Sequence, residues 1–234
     1  MGGGSMISRL PRWVWIGAWA LAFIAGMINV VGLLSFEHQA VTHLTGTTSM
    51  LGAAIAAGDL NATLHLAALI GSFVAGTVLS GFLIKESTLK LGRRYGVALL
   101  IESFLLFLAV WLLRRNSVYG VFSASCACGL QNAMVSTYSG TVIRTTHLSG
   151  MFTDLGIFLG HALRGLPVDK PRLRLCFLVI SGFLVGGVVG ALAFPQMGTA
   201  TLLIPAALTA AASFTYAFYR IRSGNKVQQT GSVR

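Results

Sequence analysis

Long apolar runs dominate the chain and restrict what it can fold into. A helix needs about 20 apolar residues to cross the hydrocarbon core of a bilayer. Six stretches have this length, and they cover residues 13–34, 62–84, 95–113, 117–138, 173–194 and 199–219. Because a backbone inside lipid must satisfy its own hydrogen bonds, such runs are predicted to be α-helices. The predicted fold class is therefore all-α transmembrane, with six full spans.

Charged residues are too scarce for a soluble domain. Only 10% of the 234 residues are charged, whereas about 25% is usual in soluble proteins. The formal net charge of +11 comes mainly from Lys and Arg in the gaps between apolar runs, where they face the cytoplasm and anionic lipid head groups. We expect the lipid bilayer as a partner and no nucleic acid. The three cysteines lie in apolar runs without zinc-site spacing, so no metal or other cofactor is expected.

Two further apolar segments, 46–58 and 150–164, are only about half as long as a span. If both crossed the membrane, the basic loop 85–94 would lie outside, against the positive-inside tendency. If neither crosses, that loop and the basic segment after Arg220 lie inside. The charge distribution therefore predicts two half-length helices, with both termini of the chain in the cytoplasm.

The second half of the chain repeats the first. GMINV at 26–30 matches GLQNA at 129–133, THLTG matches THLSG, and IGSFVAGTVLSG at 70–81 matches ISGFLVGGVVGA at 180–191. Each unit would contain three crossings and one half-length helix, and an odd number of crossings makes the two units inverted relative to each other. The predicted domains are an expression scar at 1–5, repeats at 6–115 and 116–220, and a basic cytoplasmic tail at 221–234.

Small residues recur at four-residue spacing in the repeated middle span. They predict a close helix-packing stripe, and they are Ser72, Gly76 and Ser80 in the first unit and Gly182, Gly186 and Gly190 in the second. Such glycine-rich faces are also compatible with a homodimer.

The polar phrases that begin the two half-length helices predict a binding site. Thr45 and Ser149 are expected N-caps, and Gly46 and Gly150 would let the chain turn sharply into each helix. Free N–H groups and positive dipole ends from both helices would meet near the midplane and suit an anion or a polar group. The alternative is two ordinary helix starts in interfacial loops. The candidate substrate-binding residues are Asn29, His43, Thr45, Gly46, Thr47, Thr48, Gln131, Asn132, His147, Ser149, Gly150, Thr153 and Asp154.

Some of these candidates have a second interpretation. The amides could equally form interhelical hydrogen bonds. Asp154 would stabilise its helix end, but it would repel an anion and could instead bind a proton or a cation. Glu102 is an acid deep inside a predicted span, which makes it a candidate proton carrier or ion-pair partner of Arg144 or a histidine. The alternative for Glu102 is a protonated, hydrogen-bonded structural residue.

The function predicted from these features is a small transporter or channel-like permease for a small polar or anionic solute. One alternative is a membrane-embedded enzyme using His43, His147, Asp154 and Glu102. Since the sequence has no HExxH, nucleophile elbow or paired-carboxylate spacing, we expect no enzyme. A nontransporting membrane sensor or scaffold is the other alternative.

The paired phrases also carry a family resemblance. GMINVVG followed by THLTGTTSMLG, and CGLQNAM followed by RTTHLSGMFTDLG, resemble the YoaK-like family of bacterial multi-pass inner-membrane proteins. The resemblance extends over nearly the whole chain, from near Trp13 to near Tyr219. It implies a multi-pass fold in the bacterial inner membrane, and it implies no particular activity.

Overall fold

The computed structural model describes residues 12–35, 43–84, 93–138 and 145–231, and these ranges contain helices and no strand. The all-α prediction is therefore confirmed for the described part of the chain. The helices are α1 (Arg12–Leu34), α2 (Leu44–Ala56), α3 (Leu60–Leu83), α4 (Arg93–Leu113), α5 (Tyr119–Tyr138), α6 (Leu148–Leu163), α7 (Lys170–Met197) and α8 (Leu203–Gly231). A short 3₁₀ helix, Gly198–Leu202, joins α7 to α8, and α8 includes most of the segment predicted as a tail.

Four stretches of the described chain are long and apolar enough to cross a membrane. They are Trp13–Leu34, Leu60–Leu83, Arg94–Leu113 and Lys170–Phe218. The last of them contains two of the runs predicted from the sequence. The predicted run 117–138 corresponds to α5, which is not among the four.

Helix α5 is more polar than its neighbours because protein surrounds most of it. Ser123, Ser125 and Gln131 are all buried. Ser123 Oγ donates to the carbonyl oxygen of Leu105 at 2.7 Å, and Ser125 Oγ donates to that of Leu69 at 3.1 Å. Buried polar groups are tolerated when they are hydrogen-bonded, and α5 packs against α1, α3 and α4.

The two half-length helices form as predicted, but their N-caps are different. The first helical residues are Leu44 and Leu148, and the caps are His43 and His147. The His43 carbonyl oxygen accepts the first intrahelical bond from the N–H of Thr47 at 3.2 Å. Thr45 and Ser149 therefore lie inside the first turn, and the expectation that they cap the helices is wrong. The reason is that both helices begin at the residue directly after the histidine.

Helices α1 and α7 pack closely because a glycine on each helix lies directly against the backbone of the other. A Cβ atom at Gly26 would overlap the carbonyl oxygen of Phe183, and one at Gly186 would overlap that of Phe23. Only glycine permits this approach, which brings the two backbones into direct contact.

Helix α3 packs along α5 in the same way. A Cβ atom at Gly76 would overlap the carbonyl oxygen of Cys126, and one at Gly129 would overlap that of Phe73. These contacts confirm the packing role of the glycines in the small-residue stripe. The residues in these contacts are the repeat equivalents of those that join α1 to α7.

The short helices lie on these pairs, since α2 packs against α3 and α6 packs against α7. Helix α4 packs against both α5 and α8. Hydrogen bonds join α4 to α8, from Ser103 Oγ to the Ala206 carbonyl oxygen at 2.8 Å and from Ser213 Oγ to the Gly96 carbonyl oxygen at 2.7 Å. The starts of α2 and α6 are thus held beside the glycine-packed pairs.

Candidate functional site

One cavity of about 290 Å³ brings together the starts of both short helices. Its lining comes from α1, α3, α5 and α7 and from the first turns of α2 and α6. The lining residues are Asn29, His43, Leu44, Thr45, Phe73, Asn132, Thr146, His147, Leu148, Ser149 and Phe183. Six of these residues, Asn29, His43, Thr45, Asn132, His147 and Ser149, belong to the set predicted from the sequence.

The lining residues come in pairs at the spacing of the sequence repeat. Asn29 is matched by Asn132, and Phe73 is matched by Phe183. The short-helix segments contribute His-Leu-Thr at 43–45 and His-Leu-Ser at 147–149. The position equivalent to Thr146 is residue 42, which lies outside the described residues. Each sequence unit therefore supplies nearly the same set of groups to one space.

The glycines of the short helices make room for the histidine rings. A Cβ atom at Gly46 would lie 3.0 Å from His43 Nδ1, and one at Gly150 would overlap the ring of His147 at Cδ2 and Nε2. Neither glycine has a positive φ angle, so the predicted sharp turn is wrong. The glycines instead leave room for the histidine rings, because the absence of a Cβ atom lets each imidazole fold back over the first turn of its own helix.

Asn132 lines this cavity and carries an unsatisfied hydrogen-bond acceptor. Its side-chain oxygen is buried and has no hydrogen-bond partner among the described residues. Leaving such an atom unsatisfied costs about 1–3 kcal/mol. A hydrogen-bond donor that reached this oxygen would remove that cost.

The electrostatics of the cavity favour negative charge. No Asp or Glu is among its described lining residues. Each helix N-terminus carries roughly half an elementary positive charge from the aligned peptide dipoles. Two such ends at one cavity attract an anion or the negative end of a polar molecule.

Asp154 does not line the cavity. Its Oδ2 atom lies 3.1 Å from Nη2 of Arg172, which joins α6 to α7. The negative charge that could repel an anion is therefore matched by a neighbouring guanidinium.

Three other predicted residues also lie away from the cavity lining. Thr47 is buried, and its Oγ1 donates to the His43 carbonyl oxygen at 3.3 Å. Thr48 and Thr153 are exposed, and Thr153 Oγ1 donates to the carbonyl oxygen of Ser149 at 2.9 Å. Their hydroxyls satisfy local backbone groups or face outward.

Gln131 lies behind the cavity wall in a buried hydrogen-bond chain. Its Nε2 donates to Glu102 Oε1 at 3.0 Å, and its Oε1 accepts from Thr145 Oγ1 at 3.2 Å. All three side chains are at most 1% exposed. The amide thus forms the interhelical bond that was one of its two interpretations. Arg144, the predicted partner of Glu102, lies outside the described residues.

Five lining residues are not among the candidates predicted from the sequence, although a signal existed for most of them. Phe73 and Phe183 occupy matching positions of the repeated middle span, and Leu44 and Leu148 occupy matching positions of the polar phrase. Thr146 directly precedes the second phrase. The two phenylalanines and two leucines are repeated apolar positions, and repetition alone marks them as clearly as it marks the polar ones.

A larger cavity of about 430 Å³ lies elsewhere, among α1, α4, α5 and α8. Its lining is almost entirely apolar and includes Trp13, Ala18, Leu99 and Leu208. It lacks the paired polar groups of the cavity between the short helices, so it does not suit a polar solute.

Comparison with known proteins agrees with a membrane location. The chain is 27% identical over 201 residues to the UPF0700 transmembrane protein YoaK of Bacillus subtilis (strain 168), an alignment that covers 80% of this chain and 87% of that protein. No solved structure matches the chain. The transmembrane relative and the apolar helices together show that the chain is a membrane protein. A family model described as a protein of unknown function, DUF1275, matches residues 17–215. The chain therefore belongs to this YoaK-like family, as its paired motifs predicted.

Proposed function

We propose that the protein is a small transporter or channel-like permease that binds a small polar or anionic solute between the N-termini of α2 and α6. The observation that carries the proposal is the single cavity to which both short helices contribute the same residues. Two equivalent half-length helices that meet at one polar space are typical of secondary transporters. We assign these side chains to solute binding rather than to catalysis.

The proposal includes six crossings, formed by α1, α3, α4, α5, α7 and α8, in two inverted repeats within the bacterial inner membrane. As one straight helix the 49 residues of Lys170–Phe218 would be about 74 Å long, more than twice the hydrocarbon thickness of about 30 Å. Gly198, with a φ of 55°, separates them into two helices. The matched glycine contacts of α1–α7 and α3–α5 support the repeat, and the basic loops support cytoplasmic termini.

The lining chemistry narrows the solute. Helix N-termini and imidazole N–H groups suit an acceptor or a negative charge, whereas the Asn132 oxygen needs a donor. The volume of about 290 Å³ is at the lower end of small-molecule pockets, which hold about 300–1,000 Å³. A small anion that also carries a hydroxyl or an acidic hydrogen, such as lactate or hydrogen phosphate, satisfies all three conditions.

Transport would follow from the arrangement of the repeats. If the pair α1–α7 with α6 rocks against the pair α3–α5 with α2 around the cavity, the site opens alternately to each side. A channel would leave the cavity open to both sides at once. Saturable exchange of a labelled solute supports the transporter, whereas flux that does not saturate supports the channel.

The test is solute binding and flux in purified protein. Thermal unfolding in detergent is measured with nitrate, sulfate, inorganic phosphate and lactate, and exchange of the same anions is then measured in proteoliposomes. We expect stabilisation and exchange by phosphate or lactate, which carry donors, to exceed those by nitrate and sulfate. If none of the four anions stabilises the protein or is exchanged across the proteoliposome membrane, the proposal is wrong.

Two threonines of α2 provide a matched pair of variants. Both side chains are exposed, but Thr45 lines the cavity and Thr48 does not. We expect Thr45→Val to weaken binding of the stabilising anion and Thr48→Val to leave it unchanged. Equal effects of the two substitutions would place the site elsewhere.

A further inference from the structure

Glu102 is an acid sealed inside the helix bundle. It lies in α4, is 0% exposed, and is the only charged residue between Arg94 and Leu113. Its Oε1 atom accepts the hydrogen bond from Gln131, while its Oε2 atom is buried without a partner among the described residues. A buried ionisable group at membrane depth is energetically costly, and such residues usually have a function.

The hydrogen-bond chain from Glu102 ends at the wall of the solute cavity. Gln131 directly precedes Asn132, and Thr145, which donates to Gln131, directly precedes Thr146. Asn132 and Thr146 both line the cavity. Two hydrogen bonds therefore connect the acid with two separate backbone segments of the cavity wall.

The described segments around Glu102 contain few other ionisable groups. From α5, the buried thiol of Cys128 lies near Glu102. The 3₁₀ helix and α8 up to Phe218 contain no charged residue. In α3, the ring of His65 lies against Phe122. Among the described residues that line the cavity, the ionisable groups are His43 and His147.

We infer that Glu102 carries a proton that crosses the membrane together with the anion, so that the protein is a proton–anion symporter. This inference rests on the proposed function. An ionised Glu102 would repel an anion in the nearby cavity, whereas the neutral acid would not. Proton binding and anion binding then favour each other, and the linkage is reciprocal.

The hydrogen-bond chain explains how the two events are linked. A carboxylate accepts a shorter and stronger hydrogen bond than a neutral acid does, so a change at Glu102 moves Gln131 and the adjoining cavity wall. On the side where the anion leaves, the Glu102 carboxyl gives its proton to water, and a proton from the opposite side replaces it. Because Glu102 is sealed from water in this structure, that exchange belongs to another conformation of the transport cycle.

The experiment compares exchange with uphill accumulation in proteoliposomes. Labelled inorganic phosphate and lactate are supplied with an inward proton gradient, and uptake by protein-free liposomes is subtracted. The substitution Glu102→Gln keeps an oxygen that accepts from Gln131 but cannot release a proton. We expect the wild-type protein to accumulate the anion, the Glu102→Gln variant to exchange it without accumulating it, and Glu102→Asp to retain accumulation.

Other outcomes overturn the inference in distinguishable ways. Accumulation by Glu102→Gln would assign the proton to another group, such as a cavity histidine. A wild-type protein that exchanges the anion but does not accumulate it in response to the proton gradient would reject the symport and leave the permease standing, whereas no exchange of either anion would reject both. Accumulation restored by combining Glu102→Gln with Arg144→Gln would instead show a structural ion pair.

Chemical labelling tests the inference if the Glu102→Gln variant does not fold. Dicyclohexylcarbodiimide reacts with protonated carboxyl groups in apolar surroundings. In the wild-type protein we expect the label at Glu102, located by peptide mass spectrometry, with loss of accumulation. A fully transporting protein that carries the label at Glu102, or a transport block without it, would overturn the inference.

Discussion

Gly76 of α3 faces α5 with no room for a side chain, and this makes the packing of the bundle testable. A Cβ atom there would overlap the Cys126 carbonyl oxygen and lie 2.8 Å from the backbone nitrogen of Leu130. Neither atom belongs to a side chain that could rotate away, so Gly76→Ala must push the two helices apart. On the same helix, Gly71 has nothing within 4 Å of the equivalent position and provides the control.

The expected magnitudes follow from two opposing effects. Overpacking of a close contact costs about 1–3 kcal/mol, and a backbone contact belongs near the upper end. Replacing Gly by Ala inside a helix gains about 1 kcal/mol. The net expectation is a loss of about 2 kcal/mol at position 76 and a gain of up to about 1 kcal/mol at position 71. At roughly 2–4 °C per kcal/mol for a chain of this size, the two Tm values should move in opposite directions.

The assay is thermal unfolding in detergent, followed with a dye that fluoresces on reaction with thiols. Cys128 and Cys176 are buried in the folded protein and become reactive as it opens. Gly186→Ala should match Gly76→Ala, because a Cβ atom at Gly186 would meet the Phe23 carbonyl oxygen in the same way. Equal Tm values for the variants at positions 71 and 76 would refute the α3–α5 packing described here.

Three further predictions concern the polar groups. Gly150→Ala displaces the histidine ring that lies over it and should weaken anion binding in a thermal-shift titration more than Gly46→Ala, since a Cβ at Gly46 meets its ring only at 3.0 Å; equal effects would contradict the ring positions. Gln131→Leu leaves a buried acid unpaired and should cost about 1–3 kcal/mol or more in the same unfolding assay, and an unchanged Tm would show that this hydrogen bond is not formed. Asp154→Asn removes an ion pair whose arginine is 52% exposed and should change stability by less than about 1 kcal/mol; a large loss would assign Asp154 a further partner.

Most helix boundaries could be predicted because they depend on local sequence. The exception is α8, which runs from Leu203 to Gly231, whereas the predicted run covers 199–219. The predicted run 13–34 corresponds to α1 at Arg12–Leu34, and the run 62–84 corresponds to α3 at Leu60–Leu83. The half-length helices also agree to within about two residues, which is the usual uncertainty of helix ends. Apolar length and the positions of polar residues fix these boundaries without reference to any partner helix.

The site was predicted only in part, because side-chain directions depend on neighbouring helices. The repeat pointed to Asn29 and Asn132, and both line the cavity at the starts of the short helices. It could not show that Asp154 pairs with Arg172 on α7, since that contact depends on how α6 lies against α7. The position of Gln131, turned away from the cavity toward α4, likewise follows from the packing of α5.

By itself, the sequence determined that this chain is helical, that most of its helices are apolar enough for lipid, and that its two halves repeat one pattern. Those properties follow from composition and periodicity, which act over a few helical turns. Only the tertiary structure decided that α1 pairs with α7 and α3 with α5, and that the two short helices begin at one cavity. The physical reason is that glycine permits close backbone approach on any helix, whereas the partner that fills the space is chosen by the packing of the whole bundle.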